Sequence, residues 1–212
     1  MKLYWIRAQA PRRALALAKH LGFQPETVEM DLSIGAMKAD DYRSLNPNMK
    51  APTLVDGDRV IWESAAIMAH LSLKAGSDMW PKDDPDTLIE IMKWQAWNDC
   101  HWMAALDPYY FEHIVKATFG MGPPDESELA GKEKMVEKYG RVLDDHLADR
   151  DFVVGDRLTV ADFYLAPMAA YWRTAQMPIG QFGNVVGWLD RLDALPAWAD
   201  PWPVSKHAVA TP

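Results

Sequence analysis

The chain has 212 residues, 49% of them hydrophobic and 25% charged, with a formal net charge of −8. That length and apolar content suit one large globular domain or two small ones with a sizeable core, while the negative charge argues against a nucleic-acid backbone or an anionic membrane surface as partner. The single cysteine, Cys100, excludes an intrachain disulfide framework, and without an apolar leader or a run of membrane length the expected compartment is a reducing cytoplasm.

Lys2–Trp5 reads as a short strand. Pro11–Gly22 reads as a helix, with proline in its first turn and glycine after its last. Thr27–Leu32 has the composition of a second strand, and Asp40–Leu45 suits a short helix before the Asn46-Pro47 break. Lys50-Ala51-Pro52 comes next. The residue before a proline is pushed to extended backbone, so Ala51 offers a strand-like edge to a ligand's main chain, and a cis Pro52 would tighten the turn.

Val55-Asp56-Gly57-Asp58 is predicted to turn a hairpin between strands Pro52–Val55 and Arg59–Trp62, with Asp-Gly supplying the positive φ. Ser64 is predicted to cap a helix from Ala65 to about Leu73, whose apolar face is Ile67, Met68 and Leu71. A ligand carboxylate fits such a helix start, and Glu63 can take a neighbouring ammonium. The order up to this point is β-α-β-α-β-β-α, and residues 76–86, with Gly76, Pro81 and Pro85 among acids, read as a linker.

From Thr87 onward no strand pattern recurs, and apolar residues return at helical spacing through Ile91, Trp94, Trp97, Cys100, His101 and Ala104. Glu126–Leu147 is predicted to be another long helix, with Met135, Tyr139, Val142 and Leu143 toward a core. In Gly155–Phe163, Thr159 caps a helix while Asp162 reaches back to the Thr159 N–H and Leu158 staples onto Phe163. The ten tryptophans are large apolar groups that fill a core or line a pocket.

Taken in order, Asn46-Pro47, Lys50-Ala51-Pro52, Glu63-Ser64, Ala66-Ile67 and Leu71 resemble the glutathione-binding half of the glutathione transferase family. Met79-Trp80-Pro81, the Thr159–Asp162 capping box, Trp188-Leu189 and Pro196-Ala197-Trp198 resemble its helical half, so the likeness, to bacterial members, covers nearly the whole chain. It implies an α+β protein: a thioredoxin-like domain at 1–75, a linker at 76–86 and an all-helical domain at 87–212. It also implies glutathione as co-substrate without a metal, a cytoplasmic homodimer, and detoxification by attack of the glutathione thiolate on an apolar electrophile.

Carried over residue by residue, the resemblance assigns glutathione to Lys50, Ala51, Pro52, Glu63 and Ser64, with Lys50 meeting the glycine carboxylate. Trp5, Trp102, Met103 and Tyr110 become the residues of the apolar substrate pocket. The aromatic run Tyr109-Tyr110-Phe111 fits that pocket or plain core. Asp99, Cys100 and His101 point in divergent directions on a helix, so no metal is expected there.

Activation of the thiol sets a physical demand. Lowering a thiol pKa by about two units from near 8.5 takes roughly 2.7 kcal/mol. One hydrogen bond to a charged group supplies about 1.5–3 kcal/mol, whereas a helix N-terminus supplies about 0.3–1. The serine- and cysteine-type branches of the family place the donor between the first strand and first helix. Here that turn, Ile6-Arg7-Ala8-Gln9-Ala10-Pro11-Arg12-Arg13, has no Ser, Thr, Cys or Tyr. Two readings stay open. Tyr4-Trp5 followed by Ile6-Arg7 resembles the start of the tyrosine-type branch with one residue deleted, which makes Tyr4 the donor. Alternatively Arg7, Arg12 or Gln9 acts, since guanidinium is a permanent cation. The missing hydroxyl also leaves open a glutathione-binding protein of this fold that does not conjugate, or a glutathione-dependent isomerase or reductase. Reductases of the fold usually need a cysteine near Ala10.

Overall fold

The computed structural model describes residues 1–205. The chain forms two compact units, Met1–Trp80 joined by the C-terminal segment from Pro196, and Pro81–Leu195. The sequence assigned that C-terminal segment to the helical domain. It packs with the first unit instead, because Trp198, Asp200 and Trp202 meet side chains of that unit. Residues 206–212 of the expected helical domain lie outside the described residues.

The first unit is a four-stranded mixed sheet in the order β2-β1-β3-β4. Its elements are β1 (Lys2–Trp5), α1 (Gln9–His20), β2 (Glu26–Glu29), α2 (Asp40–Leu45), β3 (Thr53–Asp56), β4 (Arg59–Trp62) and α3 (Ser64–Ala75). β1 runs parallel to β2 and antiparallel to β3, with Tyr4 opposite Thr53. Leu3 and Trp5 are buried, whereas Lys2 and Tyr4 on the other face are half-buried. α3 buries Ile67, Met68 and Leu71 as the helical spacing predicts.

Local signals put most boundaries of the first unit within two residues of where the elements lie, and three differences have a visible cause. β2 ends at Glu29 instead of Leu32, since Asp31 accepts from the Ser33 N–H and hydroxyl and folds residues 31–34 into a turn. The hairpin loop is Gly57-Asp58, closed by Asp56 opposite Arg59, with φ +61° at Gly57. Ser64 is not the cap of α3 but its first residue; Glu63 precedes it at φ 69°, ψ 123°.

The second unit is helical. α4 (Pro85–Trp97) continues through a π turn, Asn98–Trp102, into α5 (Met103–Tyr110), then through a second π turn, Phe111–Val115, into α6 (Lys116–Phe119). α7 (Glu126–Leu129), α8 (Glu133–His146), α9 (Val160–Ala169) and α10 (Gly183–Asp193) come after it; α11 (Pro196–Ala199) belongs to the first unit. The first π turn adds a residue to the repeat and so rotates α5 about the helix axis. Trp102, Ala105 and Leu106 therefore turn inward, and Cys100 and Ala104, expected in the core, are exposed.

The predicted helix Glu126–Leu147 is broken at Gly131, which sits at φ +79°. Its C-terminal piece buries Val136, Gly140 and Leu143 and leaves Val142 exposed. The capping box forms as read: Thr159 Oγ1 accepts from the Ala161 N–H at 3.3 Å, and Asp162 accepts from the Thr159 N–H at 2.9 Å. Among the described residues no helix is long and apolar enough to cross a membrane.

Candidate functional site

Three segments of the first unit meet at one end of its sheet. Tyr4 stands opposite Thr53, so β1 leaves the sheet at the end where Ala51 and Pro52 lead into β3. From α1, Arg13, 5% exposed, donates from Nη1 to the Ser64 hydroxyl at 3.2 Å. That bond ties the first turns of α1 and α3 together. Because Ser64 Oγ accepts from a cation, its own proton is left to donate.

The loop before β3 is shaped by a buried polar knot. Tyr42 Oη and Asn46 Nδ2 both donate to the Lys50 carbonyl, each at 2.7 Å. Both also reach Thr53 Oγ1, at 2.9 and 3.1 Å, and Asn46 Oδ1 accepts from the Asn48 N–H at 3.0 Å. Burial pushes the Tyr42 phenol above its ordinary pKa, against hydrogen bonds from Thr53 and Asn46, so it stays a neutral donor. With the Lys50 carbonyl saturated and the Ala51-Pro52 peptide cis, the backbone of Ala51 makes no hydrogen bond among the described residues. Backbone left unpaired beside a helix start is an edge to which a peptide can pair.

Lys50 and Glu63 are exposed and Ala51 half-buried, while Pro52 and Ser64 are buried. α3 has no side-chain cap, so its first N–H groups are available to an anion, with the helix dipole adding in the same sense. Glu63 holds a positive φ that is costly for a residue with a Cβ, about 1–3 kcal/mol. As the residue just before α3, it stands at the same helix end.

The proposed thiol-activating residues lie apart. Tyr4 is half-buried in β1 with its ring 5.5 Å from that of Tyr42. Arg7 is exposed at the end of the strand, its guanidinium 5.1 Å from the Trp202 ring. Arg12 lies 4.3 Å over the Trp198 ring and donates from Nη2 to the Trp198 carbonyl at 3.2 Å.

The four pocket residues divide. Trp5 and Trp102 are 2% and 0% exposed, so they offer no surface to a substrate and are core residues. Met103 and Tyr110 are half-buried, and Tyr110 packs edge-on against Tyr171 at 5.1 Å. Of its neighbours Tyr109 is buried and Phe111 is 40% exposed. Among the described residues no group of three or more His, Cys, Asp or Glu side chains is arranged to hold a metal ion.

Sequence reasoning did not single out Arg13, Tyr42 or Thr53, and quoted Asn46 only as part of a motif. Asn46-Pro47 is a turn signal that hints at the knot. Nothing local marks a tyrosine eight residues before the carbonyl it will bind.

Known proteins share this architecture. The family models for the glutathione S-transferase N-terminal and C-terminal domains match residues 1–72 and 99–196. Glutathione S-transferase 3 of Zea mays is 31% identical over 196 residues, covering 88% of this chain and 85% of that protein. Glutathione transferase F7 of Populus trichocarpa shares the fold, at a TM-score of 0.84 and 21% identity over 93% of this chain and 95% of that one. The theta class glutathione S-transferase of Xanthomonas axonopodis pv. citri, solved with glutathione bound, superposes at a TM-score of 0.80 and 25% identity, covering 93% and 94%. The chain belongs to the glutathione S-transferase family, and its activity is that of a glutathione-conjugating transferase.

Proposed function

We propose that glutathione lies along Ala51 in the first unit, its main chain paired to the free backbone edge before the cis Pro52. The γ-glutamyl carboxylate sits at the first turn of α3 and takes the Ser64 proton, Glu63 takes its ammonium, and Lys50 meets the glycine carboxylate. The sulfur points to the turn after β1. Arg7 is the principal group that holds it as thiolate, with Arg12 in support. Tyr4 is the weaker candidate, because it sits inside the strand against Tyr42. The observation that carries this reading is the unpaired Ala51 backbone, held by the Tyr42–Asn46–Thr53 knot beside the chain that leaves β1.

The thiolate attacks an apolar electrophile. The protein works as a cytoplasmic homodimer with a glutathione-binding domain at 1–75, a linker at 76–86 and a helical domain from 87. Ultraviolet titration of bound glutathione tests the assignment directly. The parent is expected to depress the thiol pKa, Arg7→Ala to raise it, and Tyr4→Phe to leave it unchanged. A depressed pKa that survives Arg7→Ala and vanishes in Tyr4→Phe would hand the role to Tyr4. Glu63→Ala should weaken glutathione binding about tenfold or more, the worth of a charge-assisted hydrogen bond.

A further inference from the structure

The C-terminal segment of the first unit runs across α1 and reaches both candidate cations. Trp198, 0% exposed, lies under Arg12. Lys19 donates to the carbonyl and carboxylate of Asp200. Trp202 is 5.9 Å from the buried Trp5 ring, with the planes inclined by 32°, and carries the Arg7 guanidinium at 5.1 Å. Beyond it, Ser205 Oγ donates to both carboxylate oxygens of Glu29, at 2.8 and 2.9 Å, closing the segment onto the end of β2.

This strap answers a problem that the turn after β1 creates. Arg7 is exposed on a turn with no hydroxyl or thiol, and a free arginine side chain spreads its charge over many rotamers. A cation that must meet one sulfur needs to be held before the ligand arrives. Trp202 is fixed from below by a core indole and offers Arg7 its face, a geometry in which guanidinium stacks well.

We propose that Trp202 is a positioning residue for the transferase reaction: it holds Arg7 at the end of β1 so that the guanidinium stabilises the bound glutathione thiolate as the thiol proton leaves to solvent. The inference rests on the reading that Arg7 stabilises that thiolate. It adds that the C-terminal strap, remote in sequence, completes the activating turn.

Trp202→Leu keeps apolar bulk and removes the π face, while Trp202→Phe keeps a smaller one. Both are compared with the parent, Arg7→Ala and the Arg7→Ala/Trp202→Leu double variant, using bound-glutathione titration and turnover of an aryl halide. Trp202→Leu is expected to raise the thiol pKa by about half a unit and cut kcat about two- to fivefold, the worth of an exposed cation–π contact. KM for glutathione stays near the parent's, Trp202→Phe recovers most of the loss, and the double variant is no worse than Arg7→Ala alone. A thiol pKa unmoved by Trp202→Leu but raised by Arg7→Ala overturns the positioning role and leaves the Arg7 assignment standing. A pKa unmoved by Arg7→Ala overturns both. Additive losses in the double variant also overturn the proposal, because Trp202 would then act independently of Arg7.

Discussion

Asp162 in the helical unit and Asn46 in the first unit are both buried polar residues that organise backbone, at 0% and 2% exposure. Asp162 is a carboxyl enclosed by donors: the Val153 N–H at 2.8 Å, the Thr159 N–H at 2.9 Å, Trp188 Nε1 at 3.0 Å and the Thr159 hydroxyl at 3.3 Å. It locks the start of α9 to α10 and to the loop before them. Asn46 is a neutral amide that saturates the Lys50 carbonyl and leaves the next residue's backbone free. One centre commits its hydrogen bonds to closure, and the other uses them to keep an edge open. The first is a folding device and the second serves the proposed glutathione edge, although both read in the sequence as polar motifs of a few residues.

Asp162→Ala should separate the two most sharply. It strands three buried N–H donors and is expected to cost about 4 kcal/mol or more. The loss is read from the urea midpoint, with glutathione affinity of the remaining folded protein unchanged.

Next in size is a pH effect at the same residue. Burial pushes the Asp162 carboxyl up to about 6, from 3.8, against its four hydrogen bonds. Its folded pKa lies above the unfolded one, so the folded chain binds the extra proton between those values. Its contribution is therefore complete below 3.8 and lost as pH rises through about 6. The stability advantage of the parent over Asp162→Asn should shrink across that window by about 3 kcal/mol. A gap that widens with pH would reverse the assignment.

Asn46→Ala is expected to cost about 2 kcal/mol of stability and, unlike Asp162→Ala, to lower glutathione affinity about tenfold as the Ala51 edge loses its anchor. Calorimetric titration checks the second part. Glu63→Gly sharpens the contrast at the smallest scale. Relief of the positive φ should raise stability by about 1 kcal/mol while glutathione binding falls, which is the pattern of a residue held in strain for function. Loss of both together would make Glu63 a structural residue.

Short-range chemistry was legible in the chain. The limits of α2 and β4, the apolar face of α3 and the Thr159–Asp162 box are set by residues within a few positions of one another, and they appear as read. The cis peptide before Pro52 and the helix start after Glu63 also lie where the residues around them put them. Wherever the deciding partner is remote, the sequence could not settle the outcome. Ser64 became an acceptor for Arg13 instead of a cap, the π turn at Asn98–Trp102 carried Cys100 outward, and Trp5 and Trp102 were closed into cores.

By itself the sequence determined the family, the strand and helix order, and the turn before Pro52, because propensity, capping and proline geometry act over a few bonds. Only the tertiary structure decided what fixes that edge and what holds the cations near it. Tyr42, Thr53, Arg13 and Trp202 act through contacts between separate elements, and a side chain's partner across such a gap depends on where the backbone has been brought by everything else that packs.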